Sequence, residues 1–462
     1  MPSSTKLKTG SPRKTKSSFL RVFILLLLFA VIAAGAAAAI ILFETEKPLV
    51  TITGDVEYLG RESAIPFRVS DEKQGIRSVS VAIEQNGVST ELFRKVFERR
   101  TWLYGAGPAE TEGEAPFDNS RVKLEDGKAE LVITARDFSL NGMLKGNAAT
   151  ARYPVVVDTK TPRVTIEHSQ RYILPGGSGI VVYELSEPPS RHGVEVNDDF
   201  YPGFPMADVE NRFIAYIALD WDAETVGASR VVALDQAGNE GQAVFSMILK
   251  GADYKKDRIN VSDSFLNAKI PEFEQYYPEM QGTMLDKYIF TNNTIRQRNA
   301  ETIRQLCSSP EPERLWRDSF LRMAGAPQAG FADQRTYFYE GKPIDRQVHL
   351  GMDIASTAAV EIKAANRGKV IFTDYLGIYG NTVLIDHGQG IFSLYSHLSR
   401  IDTEVGFTVD KGAVIGRSGA TGMAGGDHLH FSMLIHGKFV HPIEWWDQHW
   451  IEVNIQDILE QL

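Results

Sequence analysis

Cysteine is nearly absent from this sequence: Cys307 is the single one in 462 residues. No intrachain disulfide can form. A structural zinc site built on cysteines is also excluded, because such sites need at least two thiolates. An exported chain of this kind must draw its stability from core packing. A lone cysteine is a candidate nucleophile, but Cys307 falls in a stretch that reads as helix, far from the histidine-rich region, and is read as structural. Acid is missing from the first 21 residues, which carry Lys6, Lys8, Arg13, Lys14, Lys16 and Arg21. The whole chain has a net charge of −10, so removing those six cations leaves −16 on the rest. A body that acidic repels phosphate backbones, which argues against a nucleic-acid partner.

Charge is also missing from Val22 to Phe43, VFILLLLFAVIAAGAAAAIILF. As a helix this run is roughly 33 Å long, against about 30 Å for a hydrocarbon core. The cations lie upstream, and Glu44 and Glu46 lie downstream. The positive-inside rule then places residues 1–21 in the cytoplasm as a basic tail, 22–43 across a membrane in a single pass, and the bulk outside the cytoplasm. A cleaved signal peptide is the rival reading, with Ala34-Gly35-Ala36 resembling a cleavage site. The apolar run continues past those alanines through Ile40, Ile41, Leu42 and Phe43, which favours an uncleaved anchor.

The remaining length suits about three domains. Residues 47–250 contain many short alternating stretches, such as Val164-Thr165-Ile166, and period-two alternation reads as half-buried strands. Two segments look repeated. Pro48 to Ile52 resembles Pro162 to Ile166, and Ala135 to Gly142 resembles Ala233 to Glu240. Each copy runs from an extended start to a strand ending in an Asp-x-x-x-Asn turn. Both resemble bacterial immunoglobulin-like β-sandwich modules, 47–158 and 159–250. A single irregular β domain is the alternative. Asp137 and Asp235 read as turn formers. The modules would serve as spacers or as docking surfaces. Residues 251–325 read as a helical connector. Asn293 to Leu306 forms one helix. A second would start at Ser309-Pro310-Glu311, with Leu315, Trp316, Phe320 and Leu321 on its buried face.

Eight of the ten histidines lie between His349 and His449. They include His349-Leu-Gly-Met-Asp353, Tyr395-Ser-His397-Leu and His428-Leu-His430. A catalytic zinc takes three protein ligands from histidine and carboxylate and leaves a fourth position for water. On a strand, residues i and i+2 share a face, so His428 and His430 can point into one site. The apolar run LHFSMLI from Leu429 supports a strand there. His349 and Asp353 can share a face in an extended segment, where Gly351 argues against a helix.

In this order, the three stretches resemble the lysostaphin or LytM type of peptidoglycan zinc metallopeptidase, also called the duplicated hybrid motif. That pattern is His-x-Gly-x-Asp, then Tyr-x-His-Leu, then Gly-x-His-Leu-His-Phe, matched here by Gly426 to Phe431. The resemblance covers roughly residues 326 to 445, within a domain taken as 326–462. It implies an antiparallel β domain with an open groove in a mainly β chain. It also implies one zinc ion held by His349, Asp353 and His430, with His397 and His428 as catalytic histidines that do not ligate. The implied substrate is a peptide crosslink of the cell wall; the anchor and spacer make D-Ala to diaminopimelate the expected bond, with a glycine bridge as the alternative. Asp427 departs from the family's frequent proline, and Ala332 from a frequent glycine. Some relatives have lost zinc ligands and activate separate wall amidases, but every ligand position is intact here.

The glycine-rich stretch Gly416 to Gly426 lacks the Gly-Lys-Ser/Thr ending of a phosphate loop and reads as a groove wall. His387 reads as a hairpin-turn residue. His436, His441 and His449 read as non-catalytic, and Trp445, Trp446 and Trp450 as packing.

Overall fold

The uncharged run folds as one helix, α1 (Lys16–Leu42), whose apolar side chains are exposed all round. A helix without a polar face has no stable place in water. From Phe19 to Leu42 it is long and apolar enough to cross a membrane. The computed structural model describes residues 16–102, 104–206 and 209–461, so most of the basic tail lies outside the described residues. The chain divides into two compact units.

The first unit reaches Lys160 and takes in Gln236–Asn239. It contains a three-stranded sheet, ordered Leu49–Ile52, Glu62–Ser70, Glu110–Asp118, and a five-stranded sheet around Gly127–Asp137 and Ile76–Gln85. Alternation decides what each strand buries. In Ile76–Gln85, Val79, Val81 and Ile83 point inward and meet Ile65, Phe67 and Phe117 from the smaller sheet in one core. Asp137 accepts from the Ser139 backbone at 3.0 Å, the turn-forming role expected of it.

The second unit holds Thr161–Asp235 and Glu240–Leu462. Its first part has two four-stranded sheets, built on Ser178–Leu185 with Arg212–Ala218 and on Arg191–Val196 with Ser229–Leu234. Their apolar core continues without a break into the C-terminal part. Tyr216 meets the Trp316 and Trp445 rings, and Trp445 Nε1 donates to Ser178 Oγ at 3.0 Å. Trp445 is fully buried, as a packing role requires.

The segment after 250 opens with a strand, β1 (Lys256–Asn260), followed by three helices, α2 (Asp263–Tyr276), α3 (Met284–Phe290) and α4 (Arg296–Leu306). Ser262 caps α2, and Thr283 with Asp286 forms a capping box on α3. A π-helical turn, Thr291–Ile295, joins α3 to α4. No helix follows at Ser309. That segment is irregular and bonds outward through its backbone: Leu315 N to His387 O, Phe320 N to Trp445 O and Leu321 N to Ala365 O. Pro312 disfavours helical φ/ψ at Glu311 before it and removes a first-turn amide that a Ser309 cap would bond. Trp316 and Phe320 are buried all the same, while Leu321 is exposed.

The C-terminal strands are β2 (Asp333–Tyr339), β3 (Lys342–His349), β4 (Met352–Ala355), β5 (Gly368–Tyr375), β6 (Asn381–Asp386), β7 (Ile391–Ser396) and β8 (Leu429–Ile435). β4, β8, β7, β6 and β5 lie side by side, all antiparallel. β8 is buried on both faces, which its apolar sequence allows. β1 pairs in parallel with β2, so the segment read as a connector begins inside this domain's own sheet structure.

Candidate metal centre

Strand register brings the distant histidines together. Asp353 on β4 sits directly opposite His430 on β8, and Ser396 at the end of β7 pairs with His430 from the other side. His397 therefore leaves β7 beside the same residue. His349 closes β3, opposite Asp333. His397 has φ +64°, the left-handed region that only a constrained turn imposes on such a residue, and its amide donates to Tyr379 O at 2.8 Å.

His349 Nε2, Asp353 Oδ1 and His430 Nδ1 lie 2.9 Å from one another, pair by pair. The hydrogen bonds behind them fix the tautomers. His349 Nδ1 donates to Gly330 O at 2.8 Å, so Nε2 carries the lone pair. Ser432 Oγ donates to Leu350 O and so accepts from His430 Nε2 at 3.1 Å, which leaves the lone pair on His430 Nδ1. Two nitrogen lone pairs and a carboxylate oxygen thus converge with no proton between them. All three residues are buried. That arrangement is repulsive by itself and fits a divalent cation. The outer hydrogen bonds that orient each ring are what metal-binding histidines require.

The remaining two histidines flank this triangle. His428 Nε2 lies 3.5 Å from Asp353 Oδ1, and its Nδ1 donates to Gly426 O at 2.8 Å. His397 Nδ1 donates to Thr421 O at 2.9 Å, and the two rings lie 4.8 Å apart. Both present a bare Nε2. Burial alone would raise the Asp353 carboxyl, but His349, His428 and His430 around it hold it well below its usual range. Burial, reinforced by His428 and His430, keeps His397 far below the ordinary imidazole value. Burial works against a charge on His428 too, yet the Asp353 contact outweighs it and raises the ring.

All five residues singled out in the sequence meet here. Arg335, Ser432 and the Gly330 carbonyl were not foreseen. Nothing in a strand reading of 333–339 tells which side chain reaches Asp353, 18 residues away. His387 is buried between Arg367 O and Ser393 Oγ, a structural position. His436 packs against Tyr201 and Phe204, and His441 caps a short helix. Cys307 is buried, and burial pushes its thiol up, so it is no nucleophile at neutral pH.

A groove of about 430 Å³ runs over the triangle. Met423, Ala424 and Gly425 line it, as expected of the glycine-rich stretch, together with Ile259, Phe265 and Tyr288.

Residues 347–442 match the family model of Peptidase family M23, and this part of the chain is an M23-family peptidase domain with its His/Asp zinc-ligand cluster. DD-carboxypeptidase/endopeptidase Mpg of Neisseria meningitidis is 38% identical over 97 residues, 21% of this chain and 22% of that protein. Peptidoglycan DD-endopeptidase ShyA of Vibrio cholerae is 26% identical over 166 residues, 36% of this chain and 35% of its own. Murein hydrolase activator EnvC of Escherichia coli is 36% identical over 95 residues, 21% of this chain and 23% of that one. The chain thus spans between about a fifth and about a third of the length of these relatives.

Proposed function

We propose that this protein is a membrane-anchored zinc endopeptidase that hydrolyses peptide crosslinks of bacterial peptidoglycan, at the bond from D-Ala to diaminopimelate. The observation that carries this is the set of three lone pairs converging at 2.9 Å beside two further imidazoles with bare Nε2 atoms. His349, Asp353 and His430 would hold one zinc ion. When bound, the ion supplies an acidified water, with a pKa brought toward about 7, and an electrophilic field on the scissile carbonyl. His428 takes the proton of the attacking water at Nε2, the ring nitrogen left bare by the bond its Nδ1 donates to Gly426 O. It then releases that proton to the leaving amine. His397 lies among other rings, stays neutral, and orients the water through its own Nε2. Both are held in place by the carbonyls that accept from their Nδ1 atoms.

α1 anchors the chain in the inner membrane, with the N-terminus cytoplasmic and the rest periplasmic. Residues 47–158 and 159–250 act as immunoglobulin-like spacers between anchor and peptidase in the sequence and offer surfaces to cell-wall proteins. The peptidase is assigned to 326–462, with the strand and helices of 251–325 as part of its sheet and groove. An activator of another hydrolase would not need an intact ligand set.

The test is mass analysis of purified sacculi after incubation with the zinc-loaded full chain, with and without a chelator. Chelator-sensitive loss of crosslinked dimers, with no released glycan fragments, is expected. Crosslinks that persist at every zinc concentration, but fall when a wall amidase is added, would replace the peptidase reading with the activator one.

A further inference from the structure

One charge in the groove has no partner. Asp257 is paired with Lys255 at 2.9 Å, and Arg335 with Asp353 at 3.2 Å. Arg296, at the start of α4, lines the same groove half-buried, and among the described residues no carboxylate pairs with it. Its charge bears on the phenols of Tyr288 and Tyr379. Tyr379 in turn lies 5.5 Å from the His430 ring. A half-buried guanidinium without a protein counter-ion is open to a charge-assisted contact with an anionic ligand in the groove.

The guanidinium is also held in a fixed pose. The π-helical turn sends the Arg296 amide to Thr291 O and Asn293 O and away from Asn292 O. Asn292 O is thereby available to accept from Arg296 Nε at 3.1 Å, while Asn292 Oδ1 accepts from Nη2 at 2.7 Å. The buried Asn292 is itself oriented by Asp345, whose Oδ2 accepts from Asn292 Nδ2 at 2.6 Å. One edge of the guanidinium is therefore pinned by its own helix, and Nη1 has no such bond. π-helical turns of this kind are frequently found at functional sites.

We infer that Arg296 is the substrate-carboxylate anchor of this groove, a specificity determinant contributed by the helices that precede the peptidase strands. It rests on the peptidase reading above and goes further: the favoured substrate bears a free carboxylate close to the scissile bond. Planar guanidinium and carboxylate match in a two-pronged contact that a lysine cannot reproduce. The carboxylate can belong to the end of the peptide or to the side chain of its diamino acid, and both present the same chemistry.

The test uses the zinc-loaded full chain in detergent and three uncrosslinked stem peptides, which bind but offer no crosslink to cut. One has both carboxylates free, one has the terminal carboxylate amidated, and one has the side-chain carboxylate amidated. Calorimetry gives each Kd. R296Q is expected to bind the free peptide about ten- to a hundredfold more weakly, the range of one charge-assisted contact. Wild type should show the same loss on one of the two amidated peptides, which identifies the carboxylate, and R296Q should add nothing further to it. R296K, which keeps the charge, should keep part of the preference. Equal affinity of wild type and R296Q for the free peptide overturns the inference. So does an equal loss on all three peptides, since it would trace to groove shape and not to charge. A chain that cleaves sacculi but ignores the charge at 296 overturns the inference alone. One that neither cleaves sacculi nor binds any of the peptides removes the peptidase reading along with it.

Discussion

Arg335 Nη2 lies 3.2 Å from Asp353 Oδ2, the carboxylate oxygen that the ligand triangle leaves free. The triangle uses Oδ1, so one carboxylate is shared between the metal position and a half-buried guanidinium. Arg335 neutralises part of the charge and fixes the carboxylate plane. R335Q is expected to weaken zinc binding by about ten- to a hundredfold, the range for an outer partner of a ligand. Competition with a chromogenic chelator measures it, and an unchanged zinc Kd in a folded variant would remove Arg335 from the metal centre.

Gly351 explains why the first pattern needs a glycine between its histidine and aspartate. A Cβ added there would stand 2.6 Å from His430 Nε2 and 2.6 Å from Ser432 Oγ. Those two atoms form the hydrogen bond that orients the His430 ring. G351A should therefore disturb metal binding by about tenfold or more, with an overpacking cost of roughly 1–3 kcal/mol in stability. Zinc content after dialysis, set beside a thermal melt, separates the two effects. A variant that melts lower but retains full zinc affinity would show that His430 can shift without loss.

The two classes of histidine should part on metal content. H349A and H430A each remove a ligand and should come out of purification without zinc. H397A and H428A should keep one zinc per chain while crosslink hydrolysis falls by about a hundredfold to ten-thousandfold, the usual weight of a proton-transfer group. Elemental analysis with muropeptide turnover reads both. Equal zinc loss in all four variants would dissolve the division of labour.

The sequence exposes this centre unusually well because strand geometry is periodic. His428 and His430 are two apart, and His349 and Asp353 flank a glycine in extended chain, so spacing alone restricts where their side chains go. The strand over Leu429–Ile435 was legible for the same reason. Arg335 and Arg296 were not, because their partners are chosen by tertiary packing, which no local period encodes. The Ser309 segment misled because Ser-Pro-Glu is a helix-start pattern, and Trp316 and Phe320 are buried in an irregular chain as readily as on a helix. Residues 251–325 read as a connector, yet Ile259, Phe265 and Tyr288 line the groove. A helix's own sequence does not reveal which surface its apolar side chains will line.

Glu444 ties stability to pH away from the metal. Its Oε2 accepts from Ser178 N at 2.9 Å and Ser178 Oγ at 2.7 Å, under the Trp445 indole. Burial raises the carboxyl from 4.5 to about 7, against the lowering effect of those two bonds. The folded chain thus holds a proton that the unfolded chain has released between pH 4.5 and about 7. Where the native state binds more protons, stability falls as pH rises. The penalty is absent below the unfolded value, grows through that window, and is complete above pH 7, where it amounts to roughly 3 kcal/mol. E444Q keeps an oxygen acceptor for both Ser178 donors and carries no charge. Its stability should change less than wild type's between pH 5 and pH 8, with the two converging at the acid end and the variant ahead at the alkaline end. Denaturant melts of the zinc-loaded chain across that range check it. Parallel curves for the two proteins would mean that Glu444 titrates near its ordinary value and that the pocket under Trp445 is wet.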